Sequence, residues 1–133
     1  MTSLPNLHDG FFDGLWLSGD KQVYLFVRTV EGERSTIHLT EAEALNISGL
    51  RAGNIIFDVV LIPPDKLTIE DMNQVYDLKD SETESARQLL VKAQQQGLFA
   101  LEINSSYGPQ GMVLCVSIST LLGHVLAQVQ NSS

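Results

Sequence analysis

The sequence predicts an α+β fold: a mainly antiparallel, strongly twisted or half-closed sheet with one main helix packed on it. Three observations carry this expectation. Residues 14–62 hold short apolar runs, alternating or two-sided, separated by turn formers. Residues 81–96 hold an amphipathic stripe at helical spacing. Strand-like runs then return at 98–104 and 112–119. Segregation of strands from helices argues against parallel βαβ units. An all-β sandwich with a helical insertion is the alternative arrangement. The 133 residues are one domain's worth, and 44% hydrophobic content supplies one ordinary core.

The first strand is read at residues 14–17, before the turn Ser18-Gly19-Asp20. Residues 22–30 follow, with Val23, Leu25 and Val27 on one face and Tyr24 and Phe26 on the other. Apolar residues on both faces place this strand centrally. In 35–40, Ile37 and Leu39 point inward while Thr36, His38 and Thr40 point outward. Leu45 and Ile47 face in from a fourth run at 44–48. After a loop between Gly49 and Gly53, residues 54–62 form a long strand that Pro63-Pro64 ends.

Thr68-Ile69-Glu70-Asp71 has the form of a helix N-cap followed by acids. Ser81-Glu82-Thr83-Glu84 reads as a capping box that opens the main helix. Ala86, Leu89, Leu90 and Ala93 form its apolar stripe, and Gly97 stops it. Residues 105–111 read as a long hairpin loop. In the tail, Leu121, Leu122, Val125, Leu126 and Val129 suit a short helix, which Gly123 weakens. The tail either completes the core or pairs two subunits, so a homodimer stays open.

Sixteen acids against eight bases give a formal charge of -8, which disfavours a nucleic-acid surface. A single cysteine excludes an internal disulfide and a multi-cysteine zinc site. No basic, apolar leader opens the sequence, and the longest apolar run is too short to span a membrane. A cytoplasmic protein without a membrane role is the expectation.

Few residues carry chemistry. His8-Asp9 has the pairing used by metal-dependent phosphohydrolases, but only His38 and His124 could join it, so a turn opened by Asp9 and Gly10 is the plainer reading. Asp9, Asp13 and Asp58 lack the spacing of a cation loop, and no metal is expected. Cys115 lies in an apolar run and reads as a packed side chain. There is no nucleophile elbow, no glycine-rich phosphate loop and no cofactor motif, so no cofactor and no catalytic set are expected. Asp58 and Glu102 interrupt apolar strands. Together with His8 and Asp9 they make a candidate cleft, in which buried carboxylates would take up protons more readily. A solvated sheet face is the plainer reading.

Charge is the most usable feature. Residues 65–84 hold seven acids and two bases, most of the chain's excess. Such a patch steers a basic partner, although acids also gather at helix N-termini for the sake of the dipole. Glu70, Asp71, Asp77 and Asp80, with Tyr107 in the hairpin, are the candidate partner-binding residues. The Leu7-His8-Asp9-Gly10 segment, the hairpins after it and the stretch from Ser48 to Ile56 resemble small bacterial immunity proteins and related uncharacterised domains. The resemblance covers the first sixty residues or so and implies a protein that neutralises a toxin by binding it. The expected function is therefore non-catalytic binding of a basic protein through an acidic face. The alternative is a small enzyme or ligand binder with Asp58 and Glu102 in a sheet cleft.

Overall fold

The computed structural model describes residues 4–50, 55–79 and 82–123. Their strands are β1 (Phe11–Leu17), β2 (Val23–Arg28), β3 (Arg34–Thr40), β4 (Ala44–Ser48), β5 (Ile55–Ile62), β6 (Phe99–Tyr107), β7 (Gln110–Cys115) and β8 (Ser117–Leu122). Two α-helices, α1 (Ile69–Val75) and α2 (Thr83–Gln95), lie between β5 and β6. All strand pairs are antiparallel, in the order β4-β7-β6-β5-β1-β2-β3-β8. The expected α+β class with a mainly antiparallel sheet is thus what the chain adopts.

The order contains a strong constraint. β3 and β4 are six strand spacings apart, about 29 Å if the sheet were flat. Residues 41–43 join them and can reach only about 14 Å. The sheet therefore bends. At the bend the amide of Val116 donates to the carbonyl of Thr40, and that of Glu43 to the carbonyl of Leu114. The β3–β8 ladder thereby runs on into the β4–β7 ladder.

Bending gives the sheet an inner and an outer face. Phe12, Val23, Leu25, Val27, Ile37, Leu39, Ile56, Leu101, Ile103 and Val113 fill the inner one, as strand alternation requires. On the outer face of β6 and β7, Ala100, Met112 and Leu114 meet Met72 and Val75 of α1 and Ala86 and Ala93 of α2. The stripe read from the sequence is the one α2 buries, with Leu89 and Leu90 packed beside it. Gly97, in the left-handed region at φ 67°, ends the helix as expected.

Several expectations are corrected. β1 begins at Phe11 rather than at residue 14. The capping residues of the two helices differ from one another. Thr68 and Asp71 form a reciprocal capping box on α1. α2 starts at Thr83 with Glu82 at the cap position and no side-chain cap bond, and Ser81 of the expected capping box lies outside the described residues. The long loop at 105–111 is a tight turn, since β6 runs to Tyr107 and β7 starts at Gln110. Its serines are strand residues because pairing with Ile55 and Ile56 outweighs their turn preference. Leu121 and Leu122 belong to β8, not to a helix: six residues of β3 pair with this segment, which satisfies a whole strand edge. The rest of the tail expectation lies outside the described residues. Thr36, though on the outer face, is fully buried, and its hydroxyl donates to the carbonyl of Gly123 at 2.7 Å.

Gly111 shows how tightly β7 and β4 approach. A Cβ there would lie 2.0 Å from the carbonyl oxygen of Asn46 and 2.7 Å from Cα of Ile47. Gly111→Ala is expected to cost about 3 kcal/mol or more, since backbone has to move on both strands. Gly14→Ala, with its nearest neighbour 3.9 Å away, should change stability by less than about 1 kcal/mol. Urea unfolding of the two variants checks both.

Candidate functional site

The acidic segment spans the 3-10 turn at Pro64–Lys66, α1 and the start of α2. Burial of Met72 and Val75 fixes which side of α1 faces the sheet, leaving Glu70 exposed. Asp65 and Asp77 are exposed as well. Asp77 follows α1 in the left-handed region at φ 54°, which Asp and Asn tolerate better than most residues. Asp71 is committed elsewhere: its Oδ2 accepts the amide of Thr68 at 2.9 Å, closing the capping box. Asp80 lies outside the described residues. Tyr107 is half-exposed at the far end of β6, away from this helical layer.

The candidate cleft is not assembled as expected. Asp58 and Glu102 do share the outer face of β5 and β6. Asp58 pairs with Asn104, and Glu102 with Val60. Asp58 is exposed and Glu102 half-buried, with Asn104 Nδ2 donating to Glu102 Oε1 at 3.4 Å. This is the solvated sheet face rather than a buried acid pair. His8 and Asp9 form an exposed turn in which His8 Nε2 lies 3.6 Å from Asp9 Oδ2. The left-handed backbone of this turn is at Asp9, φ 59°, not at Gly10. Gly10 is required for another reason: a Cβ would sit 2.5 Å from the carbonyl oxygen of Arg28. Asp13, once considered with Asp9 and Asp58 for a cation, instead accepts from Arg28 Nε at 2.7 Å, which holds the guanidinium in its charged form. Arg28 also lies 4.7 Å over the Phe11 ring. Among the described residues no three His, Cys, Asp or Glu side chains gather as metal ligands would.

A feature missed in the sequence lies across the outer face of β1, β2 and β3. Cross-strand register aligns Trp16 with Tyr24 and Tyr24 with His38. Their rings stack in series, with centroids 5.2 Å and 4.4 Å apart. Gln22 Oε1 lies 2.5 Å from His38 Nε2 and 3.5 Å from the Tyr24 hydroxyl. The missing signal was register: once the Leu17–Val23 turn is fixed, the three rings fall into line. Burial in this stack lowers the pKa of His38 from its ordinary 6.5.

At one end of the bent sheet a cavity of about 240 Å³ is lined by Leu17, Val23, Ala42 and Leu45. Lys21 and Glu43 also line it and form an exposed ion pair at 3.5 Å. The predicted cleft residues do not line it. Comparison with protein-family models, curated proteins and solved structures finds no match to this chain.

Two outcomes follow from the perturbed groups. Unfolded His38 gains its proton near pH 6.5, whereas the folded residue resists it to lower pH. The unfolded state then holds more protons, so stability should be full above pH 6.5 and decline as pH falls below it. The difference in urea midpoint between the native protein and His38→Phe, followed from pH 7.5 to 5, isolates this contribution. Cys115 is fully buried, and desolvation pushes its thiol up to about 12. It should resist a thiol reagent at pH 8 in the folded protein and react at the rate of a free thiol in denaturant.

Proposed function

We propose that this protein is a non-catalytic binding protein whose acidic helical face engages a basic partner protein, and that it acts as an immunity protein by neutralising a toxin. The observation that carries the reading is the exposure of Asp65, Glu70 and Asp77 together on the helical layer. None of the three is in an ion pair with a described residue. Clustered exposed charge of one sign speeds encounter with an opposite surface and contributes less to the dissociation rate. Tyr107 lies outside this layer and would belong to a separate contact.

The architecture behind the reading is a strongly twisted, half-closed sheet with α2 as its main cover. The short links β3–β4 and β7–β8 and the burial of Ala86 and Ala93 support that picture. A cytoplasmic address belongs to the same proposal, alongside the finding that no helix among the described residues is long and apolar enough to cross a membrane.

The product of a gene adjacent to this one, if basic, is the partner to assay by stopped-flow association. The expected result is a one-to-one complex whose association rate falls steeply between 50 and 500 mM salt, as the Debye length shrinks from roughly 14 Å to roughly 4 Å. Glu70→Gln with Asp77→Asn should slow association severalfold and leave dissociation nearly unchanged. Asparagine preserves the left-handed backbone at position 77, so a fold defect would not mimic the effect. An association rate indifferent to both salt and these substitutions would count against the acidic face.

A further inference from the structure

On β1, β2 and β3 the outer face is more deeply buried than an uncovered sheet face can be. Register sets Gly14, Phe26, Thr36 and Leu121 side by side there, next to the row of Trp16, Tyr24 and His38. Phe26 is 7% exposed and Thr36 0%. The other outer residues of β3 are open to water: Arg34 is exposed, and His38 and Thr40 are half-buried. Thr36 breaks that alternation. Neighbours in the plane of a sheet shield a side chain only from its flanks, and one flank of Phe26 is Gly14, which has no side chain. Removing both residues from water takes a second layer above them. Among the described residues no element supplies it. The apolar cluster on this face is Tyr24, Phe26 and Trp16, all from the sheet itself. Both helices lie on the outer face of β6 and β7 instead, and Leu4 and Leu7 pack on the inner core. Because the burial is complete within one chain, the covering layer belongs to that chain.

The end of β8 shows where that layer comes from. The amide of Gly123 still donates to the carbonyl of Arg34, as the β3–β8 ladder requires. Its carbonyl does not stay in the ladder. A strand continuing in register would aim it at the backbone of β3, in the plane of the sheet. Instead it accepts the hydroxyl of Thr36, an outward-pointing side chain two residues back along β3, at 2.7 Å. Gly123 makes this departure in the left-handed region, at φ 72°. The chain therefore leaves β8 on the outer side and turns back over the sheet. Residues 124–133 follow, with Val125, Leu126 and Val129 among them and no Asp, Glu, Lys or Arg. Laying them on an apolar face buries none of those charges. They can reach about 33 Å when extended, whereas β3 and β1 are two strand spacings, about 10 Å, apart.

We propose that the outer face of β1, β2 and β3 is the docking surface of the chain's own C-terminal segment, residues 124–133, and that Val125, Leu126 and Val129 supply the apolar side chains over Phe26 and Thr36. While the segment is seated, this aromatic face is closed to other chains, and contact with a partner is left to the surfaces it does not cover. Displacing it would open a continuous patch of Trp16, Tyr24 and Phe26. The inference does not rest on the acidic helical face, which lies over other strands.

The test is NMR on the full chain labelled with 15N and 13C. Nuclear Overhauser contacts should join the Phe26 ring and the Thr36 methyl group to methyl groups of Val125, Leu126 or Val129. A nitroxide on Gln130→Cys should broaden the amides of β1 to β3 around Phe26 and spare those of Ala100 and Met112 under the helices. Cys115, fully buried, does not compete for the label. Leu126→Asp with Val129→Asp should shift the emission of Trp16, the chain's one tryptophan, to the red and increase its quenching by acrylamide. Leu126→Met with Val129→Ile should keep the native values. Should the aspartate variant fail to fold, the contacts in the native chain still decide. Contacts of Phe26 and Thr36 with residues 4–123 alone, or broadening on another face, would overturn the proposal. So would tail contacts that arise only between labelled and unlabelled chains in a mixed sample, since the occupant would then be a second copy.

Discussion

The whole arrangement depends on two short connections. Three residues lead from β3 to β4, and Val116 alone separates β7 from β8. Neither link can cross a flat sheet of this strand order, so curvature is imposed by chain length before any side chain is considered. Curvature then determines burial. It creates a concave side deep enough for one apolar cluster, and leaves the convex side of β6 and β7 to be covered by the two helices. Residues 100–101 of β6 and 112–115 of β7 are apolar on both faces because they lie between the two clusters. Toward the other end of the β4–β7 ladder, at Gly111, β7 approaches β4 so nearly that no side chain fits.

The least paired junction of the sheet lies between β1 and β5. Seven neighbouring relations can be satisfied in an eight-stranded order, and six of them are full ladders. The seventh is the single pair Phe11 with Ile55, because each strand starts at this bridge and runs away from the other. Polar features are distributed accordingly. The convex face outside the helices carries the Trp16–Tyr24–His38 stack on one side of this discontinuity and the Asp58–Asn104–Glu102 group on the other. Neither assembles a nucleophile with a base.

What could be read beforehand was local. The two-sided apolar character of 23–27 announced a strand with neighbours on both sides, and the stripe through Ala86, Leu89, Leu90 and Ala93 announced the face that α2 buries. Thr68 and Asp71 were legible as a cap because all the groups involved lie within four residues. What escaped was non-local. Leu121 and Leu122 fit a helical stripe equally well until β3 is known to need a partner. Ser105 looks like a loop residue until Ile56 is placed opposite it. The exposure of Glu70 could be anticipated from helix amphipathicity, but the employment of Asp71 within its own helix cap removes one acid from the expected face. The ring stack needed register across three strands, which no local pattern encodes.

The order of the strands has a further bearing on how the chain reaches this state. Thr36 and the Gly123 carbonyl it bonds lie 87 positions apart, and Thr40 and Ser117, whose hydroxyls meet, lie 77 apart. During synthesis, β1 to β3 can form a meander at once, but β4 has no neighbour until β7 leaves the ribosome, and the outer edge of β3 waits longer still for β8. Contacts of such wide separation make for slow folding and a long interval of exposed strand edge. Late translation, more than final stability, is then the stage at which this protein is most open to chaperones and to aggregation.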